Sequence, residues 1–329
     1  MTEKEHVNTP SRVRDALKAS HLYYMQDLTM AAIAHEMHTS RSSVSRLLSY
    51  ARESGLVTIS IAEPHQGATD LQRKIADRYR ISVTIVPTPS TISDVDRLER
   101  VAISTARILD RFIDSGMTVG IAWGSTISAL SRHLVPRDLH DVEFVQLNGA
   151  GNTDTTGVFY ASEILRRFAT AFSGTAQEFP VPALFDDPET KTALWRERSI
   201  RRILAIHERM NIALFSLGSP RAEVRSHVYA GAYLDTEDLA ALNRYGIVGD
   251  LATVFFRADG SYADIPLNAR ASGPDLALIK TLPRRVCVVS GPSKALSLHG
   301  ALATGLITDL IVDEGTARAL LELHQHPSE

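Results

Sequence analysis

The sequence predicts a two-domain protein in which a small helical domain precedes a larger α/β domain covered by helices on both faces. Residues 28–52 have the apolar spacing of two short helices joined by a turn, whereas from Val83 onward short apolar runs alternate with helical stretches. A Pro-His-Gln-Gly segment separates the two patterns. We therefore expect one domain over residues 1–63 and a second over residues 64–329, with a short connecting helix at about 69–79.

The two N-terminal helices are predicted to pack through small and branched residues. Ala34 lies where the first helix must approach the second closely, and His38 falls in the turn four residues later. Val44 and Leu47 then occupy the inward face of the second helix. This spacing brings two short helices together at a steep angle and leaves the outer face of the second helix free, as in a helix-turn-helix.

Polar residues and glycine mark the ends of both helices. Thr29 and Ser40 are predicted N-caps, because each hydroxyl can accept a hydrogen bond from an amide that the helix leaves unpaired. Gly55 suits the left-handed position after the second helix. Residues 56–61 (LVTISI) then alternate as in a short strand, which makes the motif a winged variant. His38 is expected to have a positive φ, where glycine is usual and histidine is tolerated.

The outer face of the second helix is basic and rich in hydroxyl groups. No acidic residue occurs between His38 and Arg52. An ordinary amphipathic helix pair with a solvated basic face is one interpretation, and a DNA-contacting surface is the other. Arginine can read guanine, whereas hydroxyl groups more often contact the phosphate backbone. The residues predicted to contact DNA are Thr29, Ser40, Arg41, Ser42, Ser43, Ser45 and Arg46.

Composition excludes several other classes of protein. The formal net charge of −3 over 329 residues argues against a protein that coats nucleic acid nonspecifically. The single cysteine, Cys287, excludes an intramolecular disulfide and a cysteine zinc cluster, and its apolar neighbours predict a buried thiol. No apolar run has the roughly 18–20 residues that span a bilayer, and residues 1–12 lack a signal-peptide core, so we expect a cytoplasmic protein. No histidine spacing compels a metal site.

Alternating strands and helices predict the larger domain. Short runs of β-branched and apolar residues are each followed by a stretch with helical spacing, an order typical of parallel βαβ units. The predicted strands are residues 83–87, 117–123, 143–148, 211–218, 253–256, 284–291 and 309–312. The predicted helices are residues 94–113, 125–134, 158–172, 293–305 and 313–324.

Four predicted strands are followed by glycine and small polar residues, at 124–126, 148–152, 218–220 and 291–294. Ligands of parallel sheets bind beyond the carboxyl ends of the strands, where glycine lets the backbone approach an anion. Neither G-x-x-x-x-G-K-S/T nor G-x-G-x-x-G occurs, so no ATP, NAD or other cofactor is expected. Turn formation explains each glycine taken singly, and a solvated helix start explains Lys294. Together the four junctions favour a small phosphorylated or polyhydroxylated ligand.

In the order and spacing of these segments the chain resembles the SorC family of bacterial sugar-responsive transcriptional regulators. The resemblance extends from about Ala16 to Leu321. Its most specific parts are LTMAAIAHEMHTSRSSVSRLLSYARESGLVTI, GIAWGSTISAL, the LNGAG turn, YGIVGDLATVFFRADG and VCVVSGPSKALSLHGALATGLITDLIVDEGTA. It implies a winged helix-turn-helix followed by a Rossmann-like α/β effector domain, related in fold to pentose-phosphate isomerases and hexosamine-phosphate deaminases. The effector is typically a phosphorylated sugar or related polyol, and dimers or tetramers are usual.

The resemblance also implies which residues contact the effector. Ser125 stands where many relatives have arginine, which favours a neutral sugar or polyol over a phosphate. Asn211 stands where aspartate is common, and we expect it to have a structural role. The implied effector contacts lie in four turns and are Gly124, Ser125, Thr126, Asn148, Gly149, Ala150, Gly249, Asp250, Gly291, Ser293 and Lys294.

The expected function is therefore regulation of operator binding by the effector, with at least a dimer on two DNA half-sites. The helix at about residues 93–112 is the expected route of coupling. The alternative is a sugar-phosphate isomerase or deaminase that carries a DNA-binding domain, with Asp250, Glu223, His227 and His299 as candidate acids and bases. None of these belongs to a recognised catalytic motif, so the sequence favours a protein without enzymatic activity. The chain is acidic and consists mostly of an α/β domain, which argues against an architectural DNA-binding protein.

Overall fold

The computed structural model describes residues 10–26, 28–57, 66–222 and 226–323. Chain contacts divide the protein into two compact units, Met1–Pro64 and His65–Glu329. The N-terminal unit has its own small hydrophobic core, and the larger unit has two large buried clusters.

The N-terminal unit contains, in its described part, the helices α1 (Pro10–Tyr24), α2 (Met30–Glu36) and α3 (Arg41–Glu53). The sequence predicts α2 and α3 but not α1, which contributes Ala19 and Leu22 to the core. Val44 is fully buried, as predicted. Leu48, rather than Leu47, is the second fully buried position of α3, and Leu47 packs only partly against the core. The reason is that α1 also packs against α3. The buried face of α3 therefore contains Val44 and Leu48, which are four residues apart.

The predicted caps of α2 and α3 are present. Thr29 Oγ1 accepts a 3.2 Å hydrogen bond from the backbone N–H three residues later, and Ser40 Oγ accepts one of 3.1 Å in the same way. His38 has a φ of 50° and Gly55 a φ of 74°, both in the left-handed region as predicted. The strand predicted at 56–61 lies outside the described residues from position 58 onward.

The larger unit alternates strands and helices, and nearly every predicted element has a counterpart in it. Its described strands are β1 (Ser82–Val86), β2 (Thr118–Ile121), β3 (Glu143–Gln146), β4 (Thr175–Gln177), β5 (Ile212–Gly218), β6 (Ile247–Leu251), β7 (Val254–Arg257), β8 (Arg284–Val289) and β9 (Asp309–Asp313). Its described helices are α4 (Gln66–Tyr79), α5 (Asp94–Leu109), α6 (Ser125–Ser131), α7 (Val158–Ala171), α8 (Pro188–Leu194), α9 (Arg198–His207), α10 (His227–Ala230), α11 (Thr236–Arg244), α12 (Pro266–Arg270), α13 (Leu276–Thr281), α14 (Ala295–Ala303) and α15 (Glu314–Glu322).

Most of the described strands form one parallel sheet in the order β1-β9-β8-β5-β2-β3-β4. The predicted strand at 253–256 differs, because it is β7 of an antiparallel β6–β7 hairpin attached to the end of β5. Ala252 and Thr253 alone connect β6 to β7, and a turn this short joins antiparallel but not parallel strands. None of the described helices combines the length and apolarity that a membrane crossing requires.

Alternate side chains of the central strands enter the two buried clusters of the larger unit. On β8, Val286 and Val288 belong to one cluster, whereas Cys287 and Val289 belong to the other. Because successive side chains of a strand point to opposite faces, the two clusters lie on opposite sides of the sheet. This is the predicted arrangement, with helices on both faces. It leaves the carboxyl ends of the strands as the place where polar loops converge.

Candidate functional site

A pocket lies at the carboxyl ends of the adjacent strands β2 and β5. From this pair the chain order runs in opposite directions across the sheet, through β3 and β4 on one side and β8 and β9 on the other. Loops leaving a pair of this kind diverge and open a crevice, which is where parallel sheets bind ligands. This switch-point pocket contains about 410 Å³ of space not occupied by protein atoms, a volume that includes open solvent at its mouth. It is lined by Trp123, Gly124, Ser125, Thr126, Asn148, Ser216, Leu217, Gly218, Ser226, His227, Val228, Asp250, Ala252, Thr253 and Lys294.

Several residues assigned to the effector site from sequence meet in this pocket, although they come from distant parts of the chain. Gly124 adopts a φ of 148°, and the space where its side chain would stand is open. This glycine connects β2 to α6, so the chain turns without filling the pocket. The predicted residues that line the pocket are Gly124, Ser125, Thr126, Asn148, Asp250 and Lys294.

Gly149 and Ala150 do not line the pocket, in contrast to the sequence-based assignment. The Gly149 backbone is already engaged: its N–H donates a 3.0 Å hydrogen bond to Ser272 Oγ, and its carbonyl accepts one of 2.7 Å from Trp123 Nε1. A side chain at Gly149 would collide with the carbonyl oxygens of Val181 and Pro182. The glycine is therefore explained by close packing of two chain segments. The Ala150 carbonyl similarly accepts a hydrogen bond from a tyrosine hydroxyl.

Gly291, Ser293 and Gly249 also lie outside the lining. The N–H of Gly291 donates a 3.0 Å hydrogen bond to Asp313 Oδ2, which ties the end of β8 to the end of β9. A side chain at Gly249 would collide with Ser297 Oγ, so this glycine too permits a close approach. Lys294, from the same turn as Gly291, does line the pocket.

The β6–β7 hairpin holds Asp250 at the pocket, where it is 4% exposed. Asp250 Oδ2 accepts a 3.1 Å hydrogen bond from the N–H of Thr253. Ala252 and Thr253 have φ values of 46° and 68°, as a two-residue hairpin turn with both residues left-handed requires. A branched residue in this conformation costs on the order of 1–3 kcal/mol, and such strain concentrates at functional sites.

The two charged groups of the pocket are both deeply buried. Burial raises the pKa of Asp250 to about 6, although the Tyr229 hydroxyl, the hydrogen bond from Thr253 and the charge of Lys294 act in the opposite direction. Burial lowers the pKa of Lys294, and the nearby carboxylates, Asp250 first among them, oppose this effect. The Tyr229 hydroxyl is close enough to influence Asp250, but it forms no well-oriented hydrogen bond with it. The pocket thus places an acid and an amine where neither is well solvated.

Four buried polar atoms of the lining have no hydrogen-bond partner within the described part of the chain. Leaving a buried polar group unpaired costs about 1–3 kcal/mol, so native proteins rarely do so without a ligand or water to complete the set. These atoms are Asn148 Oδ1, Ser216 Oγ, Ser226 Oγ and Asp250 Oδ1. Their convergence is the strongest structural sign of a binding site.

Sequence reasoning missed several lining residues, among them Trp123, Ser216, Ser226 and Thr253. Ser216 had a usable signal, because it is the one polar residue inside the apolar run of β5. Ser226 lies in a loop whose composition resembles any other surface turn. Trp123 stacks on Tyr233 with ring centroids 5.3 Å apart and forms an aromatic wall of the pocket. The sequence alone contains no sign of that stacking.

A larger groove, with about 1680 Å³ of space, is lined by residues 151–156 and 184–187, among others. Two of its charged groups are already engaged: Arg270 forms hydrogen bonds of 2.6 and 3.2 Å with Asp238, and Asp187 caps α8. None of the unpartnered atoms named above lies in this groove. We therefore consider the smaller pocket the better ligand site.

The outer face of α3 carries the residues predicted to contact DNA. Arg41, Ser42, Ser45 and Arg46 are exposed, and neither arginine forms an ion pair with a described residue. Ser40 is occupied as a cap and also lies 2.8 Å from the Ser42 hydroxyl. Ser43 is half-buried, and Thr29 is exposed at the start of α2. The face therefore presents two exposed guanidinium groups among ordered hydroxyls, and that of Arg46 lies 3.5 Å from Ser43 Oγ.

The other reactive residues give little support to a catalytic centre. His227 lies at the rim of the pocket, whereas His299 is on α14, 3.5 Å from the Tyr79 hydroxyl. Glu223 lies outside the described residues. Burial raises the pKa of the Cys287 thiol far above its usual range, in agreement with the predicted structural thiol. The described residues contain no cluster of histidine, cysteine and carboxylate side chains suited to a metal ion.

A small helix-turn-helix unit joined to a parallel α/β unit with a polar switch-point pocket is the architecture of a ligand-binding transcriptional regulator. Comparisons with known proteins agree with it. Residues 63–322 match a family described as "Putative sugar-binding domain". The chain is 32% identical over 309 residues to the deoxyribonucleoside regulator of Bacillus subtilis (strain 168), covering 93% of this chain and 96% of that protein. The chain therefore belongs to the SorC family of sugar-binding transcriptional regulators.

One solved structure supports the same assignment, and a second shares the fold. A domain of a possible sugar-binding transcriptional regulator from Arthrobacter aurescens TC1 is 49% identical, with a TM-score of 0.74, and covers 79% of this chain and 100% of its own. The full-length sorbitol operon regulator SorC from Klebsiella pneumoniae has a TM-score of 0.79, covers 95% of this chain and 100% of its own, and is 23% identical. The second likeness concerns the fold alone.

Proposed function

We propose that this regulator binds operator DNA through α3 and that a carbohydrate-type effector in the switch-point pocket controls this binding. The observation that carries the proposal is the set of unpartnered polar atoms around Asp250 and Lys294. A sugar or polyol presents many hydroxyl groups, each able to donate and accept, and can complete that set. Since operator DNA in bacteria lies in the cytoplasm, we place the protein there.

On the DNA side, Arg41 and Arg46 are the proposed base-reading residues. Both guanidinium groups are exposed on α3 and carry no competing carboxylate among the described residues. A bidentate arginine–guanine contact contributes about 1–3 kcal/mol of discrimination. The proposed roles of Ser42, Ser43 and Ser45 are contacts with the phosphate backbone. Thr29 and Ser40 hold the helix starts as caps and are proposed to lie against the backbone as well.

One helix-turn-helix offers few phosphate contacts, so we propose that a dimer or tetramer binds two half-sites one helical turn, or a multiple of it, apart. The effector then changes operator affinity by favouring one arrangement of the paired DNA-binding units. Coupling of this kind is typically about 1–3 kcal/mol. The proposed route through α5 starts near the pocket, because Arg97 of α5 donates a 3.0 Å hydrogen bond to Asp313, which also holds Gly291.

We further propose that the pocket binds its ligand without turnover. Enolisation of a sugar phosphate needs a base and an acid that face the same substrate atoms. Asp250 is the one carboxylate among the described lining residues, and the candidate His299 lies elsewhere on α14. Incubation of the purified protein with pentose and hexosamine phosphates, followed by product analysis, tests this point. Turnover faster than in a protein-free control would establish the enzymatic alternative.

The experiment that tests the proposed function starts from the full-length protein and a random duplex library. Selection of bound duplexes should return a sequence with two related half-sites, and a panel of sugars and polyols should contain a member that changes affinity for it. The matched control is the same duplex with one half-site scrambled. A protein that selects no sequence, or whose selected sequence responds to no member of the panel and its phosphate esters, would contradict the proposal.

A further inference from the structure

The N-terminal unit holds two arginines in defined positions beside α3, and neither belongs to the residues predicted to contact DNA. The guanidinium of Arg12 lies over the ring of Tyr50, 4.4 Å from its centroid. Arg52 donates hydrogen bonds of 3.1 Å to the Tyr24 hydroxyl and 3.2 Å to Ser49 Oγ. Both arginines are exposed, and neither forms an ion pair with a described residue. Both positive charges are therefore available to an anionic partner.

Helix α1 supplies one member of each pair. Arg12 lies in its first turn and Tyr24 is its last residue, so the two are about 18 Å apart along the helix. Because α1 packs against α3, its two ends can reach different sides of that helix. On α3 itself, Tyr50 and Arg52 are separated by about 200° around the axis. The two arginines therefore lie on opposite flanks of α3.

The face of α3 that is predicted to contact DNA lies between these flanks. Helical periodicity places the exposed Ser42 and Arg46 on the arc from Arg52 to Tyr50, whereas the buried Leu48 lies on the other arc. A recognition helix turns its outer face toward the base edges of the major groove, which is bounded by the phosphates of one strand on each side. The flanks of α3 would then face the two phosphate backbones.

The chemistry of both arginines suits a phosphate. A guanidinium matches phosphate oxygens with its planar fork of N–H groups, and stacking on a ring leaves the N–H groups at its edge free. Arg52 has five N–H donors and uses two of them within the unit. A side chain that is already ordered loses less conformational entropy on binding. Arg52 also lies near the C-terminal end of α3, whereas base contacts come mainly from the N-terminal part of a recognition helix.

We propose that Arg12 and Arg52 bind phosphates of opposite DNA strands on either side of α3, and that Tyr50 and Tyr24 hold them in position. Helix α1 thus takes part in DNA binding as well as in the core of the unit. This inference rests on the proposed function, because it adds residues to the same DNA interface.

The test measures affinity for DNA as a function of salt, with the full-length protein, the selected operator and a duplex in which both half-sites are scrambled. Arg12→Ala and Arg52→Ala should each weaken binding to both duplexes by a similar factor, because a phosphate contact carries no sequence information. Each lost contact lowers the slope of log affinity against log salt by about 0.9, so a dimer should lose about 2. Raising the salt from about 50 to about 200 mM should then weaken the wild type about tenfold more than either variant.

Arg14→Ala is the matched control. Arg14 is exposed on α1, and its position about 200° around the axis from Arg12 turns it away from α3. This variant should keep the wild-type slope. Thermal unfolding shows whether each variant is folded. If Arg52→Ala is not, Arg52→Gln removes the charge and keeps a hydrogen-bond donor for the Tyr24 hydroxyl.

Two conservative variants separate a phosphate contact from a structural role. Arg52→Lys keeps the charge and should restore the salt slope, which a defect in folding would not do. Tyr24→Phe removes only the hydroxyl that holds Arg52 and should weaken binding several-fold with the slope unchanged, because the charge remains while its prior ordering is lost.

The outcomes separate this inference from the proposed function. Wild-type slopes in Arg12→Ala and Arg52→Ala, with operator binding intact, would overturn the phosphate contacts and leave the proposed function in place. A loss confined to the operator duplex would show base reading and would overturn the inference as well. A wild-type protein that binds neither duplex overturns both. Lower slopes in both alanine variants, with recovery in Arg52→Lys, support both.

Discussion

The backbone N–H of Thr253 donates a 3.1 Å hydrogen bond to Oδ2 of Asp250, whereas Oδ1 of the same carboxylate is buried and forms no hydrogen bond with a described residue. Thr253 occupies the left-handed region with a φ of 68°. A strained turn thus fixes a buried carboxylate in one orientation. We interpret the strain as part of the site, because it orients Asp250 before any ligand arrives.

Asp250 should make stability decrease with rising pH between about 4 and 6. Its pKa is about 6 in the folded protein against an ordinary value of 3.8, so the folded state binds the proton more strongly than the unfolded chain. Stability is therefore highest where the group is protonated in the folded state, and above the folded pKa on the order of 3 kcal/mol is lost. Asp250→Asn removes this loss and should be more stable than wild type at pH 7, with a smaller difference at pH 4.

Denaturant titrations of both proteins between pH 4 and 8 measure this difference. Asp77→Asn is the control, because it replaces an exposed aspartate and should leave the pH profile unchanged. Parallel profiles for wild type and Asp250→Asn would show that the Asp250 pKa is not raised.

Arg46→Ala should lower affinity for the selected operator by about 1–3 kcal/mol and relax its sequence preference. The guanidinium is exposed on α3 and has no ion pair among the described residues, so folding should be unaffected. Fluorescence anisotropy with operator and scrambled duplexes at fixed salt measures both effects. Arg100→Ala, an exposed arginine of α5 in the other unit, is the control. Equal loss on both duplexes would reassign Arg46 to backbone contact, and no loss would remove it from the interface.

His38→Gly should stabilise the N-terminal unit by about 0.5–1 kcal/mol. His38 has a φ of 50°, which an L-residue adopts at a cost and glycine does not, although glycine gains more freedom in the unfolded chain. Glu36→Gly is the matched control, because the same change inside α2 should destabilise by a similar amount. The denaturant concentration at the unfolding midpoint shows whether each variant is more or less stable than wild type. Destabilisation by both substitutions would show that the turn has no strain to release.

Gly149→Ala should destabilise the protein far more than Gly151→Ala, although the two glycines belong to the same turn. A side chain at Gly149 would collide with two backbone oxygens, whereas at Gly151 its nearest neighbours are 3.4 Å away, an ordinary contact. Thermal unfolding of the two variants gives the comparison. Equal shifts would mean that the segment around Val181 can move aside.

Periodicity made most of the larger unit predictable, because the alternation on strands such as β8 follows from burial on both faces. The same reasoning failed for α1, whose contribution to the core rests on small residues such as Ala19 with little helical contrast. It also failed for the β6–β7 hairpin, because the turn uses Ala252 and Thr253 where glycine or asparagine is the usual signal. Tertiary pairing, rather than local sequence, determines both.

The site was predictable where the strand order brings loops together. It was unpredictable where a glycine after a strand can either leave space for a ligand or permit close packing of the backbone. Gly124 and Gly149 both follow strands, yet one opens the pocket and the other permits a close backbone contact. Sequence alone contains no difference between these uses. Ser226 lies in an irregular loop, and only the fold places it beside Asp250.

Reciprocity between the two sites tests the central claim most directly. An effector found in the panel of sugars, polyols and their phosphate esters is titrated into the full-length protein with and without saturating operator duplex, and operator affinity is measured with and without the effector. We expect each ligand to change the affinity of the other by the same factor, about 5- to 150-fold. Identical effector affinity in the presence and absence of operator would contradict it.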